Sequence, residues 1–187
     1  MKHRLCISYG KDSLACLGAI EKLGWELDEI VHTEIWATDT IQADLPEMIE
    51  FKAKADKIIK DRWGLDVKHI YARDKQGNKI TYESIFYKLN KNKNHIYGFP
   101  CIKGAWCNSR LKVSPMKVAD CIDYIGIAKD ETERLARLDG ISKISPLAAI
   151  GWEEKDCYKW CEENDLLSPI YKKATRGGVL VLPQSID

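Results

Sequence analysis

The sequence predicts an α/β fold, a doubly wound parallel sheet with helices on both faces, and three observations carry that prediction. Short β-branched or apolar runs alternate with amphipathic helical stretches from the N-terminus onward, a Gly-containing turn joins the first run to the first helix, and glycines close both early helices. Composition agrees. The 187 residues are 45% hydrophobic and 30% charged, enough for one sizeable core, so a single domain over 1–187 is expected, with an irregular tail from about residue 165.

The elements follow in order. Leu5-Cys6-Ile7-Ser8 reads as the first strand, and residues 13–23 are good helix formers closed by Gly24. Residues 30–36, rich in β-branched and aromatic side chains, read as a second strand that runs out in Thr38-Asp39-Thr40. Pro46 opens an amphipathic helix whose apolar side carries Met48, Phe51, Ala55, Ile58, Ile59 and Trp63, and Gly64 stops it. Residues 67–71 are the third strand, and this β-α-β-α-β alternation implies parallel pairing with right-handed crossovers.

From Arg73 to about Ser109 the periodicity fades. Ile85, Phe86 and Leu89 form a short apolar group, and Asn90-Lys91-Asn92-Lys93-Asn94 reads as a solvated loop. A helix is expected over about 114–121, a strand over 124–128, and a charged helix from 130 to about 138. After Ser145-Pro146-Leu147, a helix over 153–164 buries Trp152, Cys157, Trp160 and Cys161 at helical spacing.

Charge and composition narrow the functional classes. Lysine plus arginine (29) nearly balances aspartate plus glutamate (28), so no global field draws the chain to nucleic acid or to an anionic membrane, although a local basic site stays open. No run reaches the roughly 18 apolar residues of a membrane span, and Ser8 and Asp12 follow the N-terminus too soon for the apolar core of a signal peptide. A cytoplasmic location is expected, and there the seven cysteines read as reduced thiols.

Chemistry concentrates in Ser8-Tyr9-Gly10-Lys11-Asp12-Ser13. At the carboxyl end of a strand, a Gly-containing turn turns backbone N–H groups toward an oxyanion, while Ser13 and a helix N-terminus add a hydroxyl and a positive dipole end. The spacing is not that of a Walker A loop. An ordinary strand-helix turn with Asp12 or Ser13 as N-cap uses the same residues.

This segment resembles the PP-loop, usually Ser-Gly-Gly-x-Asp-Ser, of the ATP-pyrophosphatases and the phosphoadenosine phosphosulfate (PAPS) reductase-like family, with Tyr9 in place of the first glycine. Asp39-Thr40 followed by Leu45-Pro46-Glu47 is similar to that family's Asp-Thr-Gly and Pro-Glu-Thr stretch, with Ile41 where glycine is usual. Residues 107–116, Cys-Asn-Ser-Arg-Leu-Lys-Val-Ser-Pro-Met, resemble its Cys-Cys-x-x-Arg-Lys-Val-x-Pro-Leu element with one insertion. Residues 126–134 resemble its Gly-Ile-Arg-x-Asp-Glu-Ser-x-Arg element. With Gly151-Trp152 and Ser168-Pro169-Ile170-Tyr171 the likeness covers nearly the whole chain.

The resemblance implies an adenine nucleotide alpha-hydrolase-like, Rossmann-like domain that holds PAPS, APS or ATP at residues 8–13, with Arg110, Lys112 and Arg134 along the anionic end. Guanidinium and ammonium groups suit phosphate oxygens, although a solvated surface is the ordinary place for any one of 29 basic residues. Adenine needs an apolar slot, which Ile7, Ile35 and Trp36 can supply, and Trp36 serves equally as core. Asp12 is either a carboxylate that positions Mg²⁺ on the phosphates or an N-cap.

Other family features are missing. The reductases' thiolate sits in a Glu-Cys-Gly-Leu-His segment that this chain lacks, and its last cysteine, Cys161, reads as a buried, inert thiol. Where iron–sulfur relatives carry a Cys-Cys pair and a later Cys-x-x-Cys, this chain has Trp106-Cys107 and, in 176–183, Val179 and Leu182. Cys101 and Cys107, even with His95 nearby in sequence, are too few ligands, so no metal and no cluster is expected. Two readings remain. One is an enzyme that cleaves a sulfonucleotide or ATP; the other is a non-catalytic nucleotide-binding subunit or sensor, with a place in a system resembling DNA phosphorothioation. A second copy or a protein partner stays open in both.

Overall fold

The computed structural model describes residues 1–90, 94–100 and 105–172, and it is an α/β fold. Among the described residues the chain parts into two compact units, the first formed by Met1–His32, Pro46–Lys68 and residues 118–172, the second by Thr33–Leu45 and His69–Lys117.

Five strands, β1 (Lys2–Ile7), β2 (Glu29–Thr33), β3 (Val67–Ile70), β6 (Cys121–Ile125) and β7 (Lys143–Ile144), form one parallel sheet in the order β3-β2-β1-β6-β7. Between β6 and β1 the chain order reverses, so β1 has β2 on one side and β6 on the other. The register sets Leu5 opposite Ile30 and Tyr124, all three buried. Arg4 is buried too. Its Nε and Nη2 both donate to Asp123 Oδ1, at 2.8 and 2.7 Å, which offsets the cost of taking the guanidinium out of water.

Helix α1 (Lys11–Leu23) starts where Gly10 leaves extended backbone and stops at Gly24, whose left-handed φ of 63° brings its N–H to the Glu21 and Ile20 carbonyls. It is buried on almost every side, from Ser13 through Ile20. One contact explains how it fits. A Cβ on Gly18 would fall 2.3 Å from the Trp160 indole, so only glycine lets α6 (Glu154–Glu163) lie this close. Helix α2 (Pro46–Trp63) has the expected bounds and buries Met48, Phe51, Ala55 and Ile59, together with one polar residue, Lys52.

Four sequence expectations are corrected. No helix spans 114–121: the chain bends there, Asp120 takes a φ of 57° with its carbonyl accepting from Lys2 N, and Cys121 opens β6, so that strand lies over Cys121–Ile125 rather than 124–128. The charged helix expected over 130–138 is only α4 (Thr132–Leu135), because the Asp139 carboxylate accepts from the amides of Ile141, Ser142 and Lys143 and turns the chain toward β7. β2 ends at Thr33, not at 36. A short helix, α5 (Pro146–Ile150), capped by the Ser145 hydroxyl, lies where only a Ser-Pro-Leu motif stood out.

The second unit, read from sequence as irregular, has its own core of Ala72, Tyr82, Ile85, Trp106, Cys107 and Leu111. It contains α3 (Tyr82–Phe86), started by a Thr81 capping box, and a two-strand pair, β4 (Leu89–Asn90) with β5 (His95–Ile96). Residues 107–113 wind as a π-helix, followed by a 3-10 turn over Ser114–Met116.

Candidate functional site

The loop Ser8–Ser13 sits at the carboxyl end of β1, the middle strand of the sheet, and leads into the first turn of α1. Its own hydroxyl closes it. Ser13 Oγ donates to Gly10 O at 2.9 Å and accepts from Ser8 N at 3.0 Å, while Leu14 N also reaches Gly10 O. The Ser13 hydroxyl expected to meet phosphate therefore holds the loop's shape. The N-cap is Gly10, without any side-chain cap, so the N-cap role open to Asp12 or Ser13 is not filled.

Left-handed backbone falls on a residue that sequence reasoning did not single out for it. Gly10 has φ −79°, open to any residue, whereas Tyr9 has φ 58°. That conformation costs an L-residue about 1–2 kcal/mol. Burial offsets it: Tyr9 is fully buried, its hydroxyl donates to Asp56 Oδ1 on α2, and its ring meets His32 edge-on at 4.7 Å between centroids. Sinking a large side chain contributes roughly 1.5–3 kcal/mol, which matches or exceeds the strain.

Lys11 and Asp12 are paired with each other within the loop. The Lys11 ammonium, nearly buried, lies 2.8 Å from both Asp12 Oδ1 and Glu154 Oε2. Burial opposes its charge, but the hydrogen bonds to Asp12 and Glu154 win and hold the group above its ordinary value. Burial raises the Asp12 carboxyl, with Lys11 pulling the other way. The ammonium already supplies the positive charge that a magnesium ion would bring to these oxygens. Among the described residues no three His, Cys, Asp or Glu side chains are grouped to hold a metal ion.

Two further residues shape the loop, and the sequence marked both only as parts of family-like motifs, without a role at the loop. The Tyr171 hydroxyl accepts from Lys11 N at 3.1 Å, and a Cβ on Gly10 would stand 3.2 Å from that oxygen. Gly126, just past β6, runs against the first turn of α1 so closely that a Cβ would lie 2.6 Å from Ser13 N and 2.7 Å from Ser13 Cα. A glycine directly after a strand was the available signal for Gly126. Tyr171 gave none.

The remaining expected site residues divide between the units. Arg134, in the first unit on α4, is half exposed and paired with Glu131, whose other oxygen accepts from Ala128 N. Ile35 belongs to the second unit and lies against its hydrophobic core. Lys112, in the π-helix, is partly buried, and its charge works against the burial that raises the Cys107 thiol. Trp36 is partly buried with the Lys79 ammonium 3.3 Å over its ring. Arg110 stacks on Tyr97 and donates to its hydroxyl at 2.7 Å, on the wall of a second-unit cavity of about 430 Å³ that Arg73 also lines.

Cys161 is buried, as expected, with its thiol donating to Lys11 O at 3.2 Å, and burial pushes it up to about 12. Cys101, Val179 and Leu182, on which the metal expectation partly rests, lie outside the described residues. Compared with protein-family models, with curated proteins and with solved structures, the chain matches none.

Proposed function

We propose that the chain binds an adenine nucleotide through Ser8–Ser13, as a PAPS reductase-like member of the PP-loop group, on a doubly wound, Rossmann-like sheet. One observation carries this reading: the loop lies at the carboxyl end of the middle strand, beside β6, where the chain order of a parallel sheet reverses. Open α/β sheets bind their ligands in that crevice. A 13-residue helix starts there, so its first-turn amides and positive dipole end face the same place. Gly126 supports the reading, since its missing side chain lets the chain leaving β6 pack directly on the first turn of α1 at the carboxyl end of the sheet.

A nucleotide in this position would lay its phosphates on backbone N–H groups of the first unit, with Arg134 of the same unit drawn to the anionic tail. The physiological ligand is proposed as PAPS, APS or ATP. Thermal shift and calorimetry with these three, with adenosine and with inorganic phosphate test it, because a ligand that binds only the folded chain raises Tm by an amount set by its affinity and concentration. Stabilisation by the phosphorylated nucleotides and not by adenosine is expected. No stabilisation by any of them would overturn the proposal.

A second reading, a binding module without reductase turnover, is favoured by the place of Cys161. Its thiol is buried against the Lys11 carbonyl, opposite to what a thiolate nucleophile needs. Sulfite released from PAPS, or pyrophosphate from ATP, would decide for an enzyme.

A further inference from the structure

We infer that Tyr9 is a positioning residue: its buried side chain, tethered to Asp56 on α2, sets the backbone of Ser8–Lys11 in the shape that receives phosphate, an inference that rests on the nucleotide reading above. The argument starts from the backbone. A glycine reaches a φ near 58° unaided, but a tyrosine does so only where its surroundings over-determine it. Here they do. The hydroxyl is fixed by Asp56, 47 residues away in sequence, and the ring is wedged against His32 with the Lys52 ammonium 5.4 Å from its centroid.

The same group of side chains also holds the residue that enters the loop. Lys52 Nζ lies 2.9 Å from His32 Nε2, and an ammonium only donates, so Nε2 accepts. His32 Nδ1 therefore carries the proton and donates to Ile7 O at 3.0 Å. Ile7 O and the Tyr9 side chain are both secured through residues that lead to α2, and Ser13 secures Gly10 O from the other side. The loop is set by a helix that contributes nothing to it in sequence.

The test uses the full chain with Tyr9→Phe, Asp56→Ala, Asp56→Asn and Tyr9→Gly, read by amide hydrogen exchange and by ATP titration. Tyr9→Phe and Asp56→Ala should each speed exchange at the Ser8 and Lys11 amides, which are hydrogen-bonded to Ser13 Oγ and Tyr171 Oη, by at least about tenfold, and weaken ATP by about tenfold. Exchange at Leu5 in β1 should not change. Asp56→Asn, which keeps an acceptor, should restore most of both. With Tyr9→Gly already present, adding Asp56→Ala should have no further effect, since no tether is left to break. Unchanged exchange and affinity in Tyr9→Phe and Asp56→Ala would overturn the inference, and so would faster exchange shared by Leu5, which would make Asp56 a matter of general stability. A wild-type chain that ignores ATP, PAPS and APS alike would defeat the nucleotide reading alone, and the exchange comparison would still decide whether Tyr9 sets the loop.

Discussion

Gly126→Ala should be one of the most damaging small substitutions in the first unit, and the structure gives its size. The new Cβ would meet backbone on the far side, Ser13 N at 2.6 Å and Asp12 C at 2.8 Å, where ordinary contact begins near 3.4 Å. The first turn of α1 would have to retreat by about 0.8 Å. No side chain can rotate away to relieve the contact, so the cost belongs at the upper end of the overpacking range, about 3 kcal/mol. For a chain of this length that lowers Tm by roughly 6–12 °C. Gly10→Ala is the control. Its φ is open to alanine, and its Cβ would meet only the Tyr171 hydroxyl at 3.2 Å, so a loss under about 1 kcal/mol is expected. Denaturant unfolding of both variants beside ATP titration measures this. Equal stability and equal affinity for Gly126→Ala and the wild type would refute the close approach itself.

Three further outcomes are expected. Arg134→Ala should lose about tenfold to a hundredfold in affinity for ATP or PAPS and little for adenosine, which has no tail to hold; equal losses for both ligands would indicate a folding defect. Cys16, Cys157 and Cys161, all buried, should resist alkylation at neutral pH in the native chain and react on unfolding, while partly exposed Cys121 reacts before these three, as read by mass spectrometry. The Asp139 carboxyl, held below the usual carboxylate range first by the Ser142 hydroxyl and then by backbone amides, favours folding above its unfolded value of about 3.9. That contribution disappears as pH falls through the lower native value, and Asp139→Ala should flatten the acid limb of the stability curve.

What the sequence made legible was local. Helix α2 could be bounded to the residue because Pro46 and Gly64 act on their own backbone, and α1 ended where Gly24 said it would. The helix once expected over 114–121 failed for a tertiary reason, since pairing with β1 draws Cys121–Ile125 into the sheet whatever the local pattern prefers. α3 and α5, five residues each, are too short to show a period. In the candidate site the loop was legible as a motif, yet the residue under backbone strain is Tyr9 rather than the glycine beside it. Lys52 read as part of the polar face of α2, and its burial beside His32 needed a partner 20 residues away. Glu154 reaches Lys11 over 143 residues and Tyr171 over 160, separations at which no spacing rule speaks.

The strand order also governs when the molecule can be finished. β1 meets β2 within the first 33 residues, but its other neighbour is separated from it by about 119 positions, as the Arg4–Asp123 pair marks. At about 5–20 residues per second, synthesis leaves that edge without its partner for roughly 6–24 s. During this time Leu5 and Ile7 sit on an open strand edge, and the Arg4 guanidinium waits for its carboxylate. Non-local pairing of this kind slows folding and exposes the nascent chain to edge-to-edge association. Truncations that stop before Cys121 should therefore aggregate, while those that include β6 and β7 gain the missing neighbour and become the shortest forms able to close the sheet.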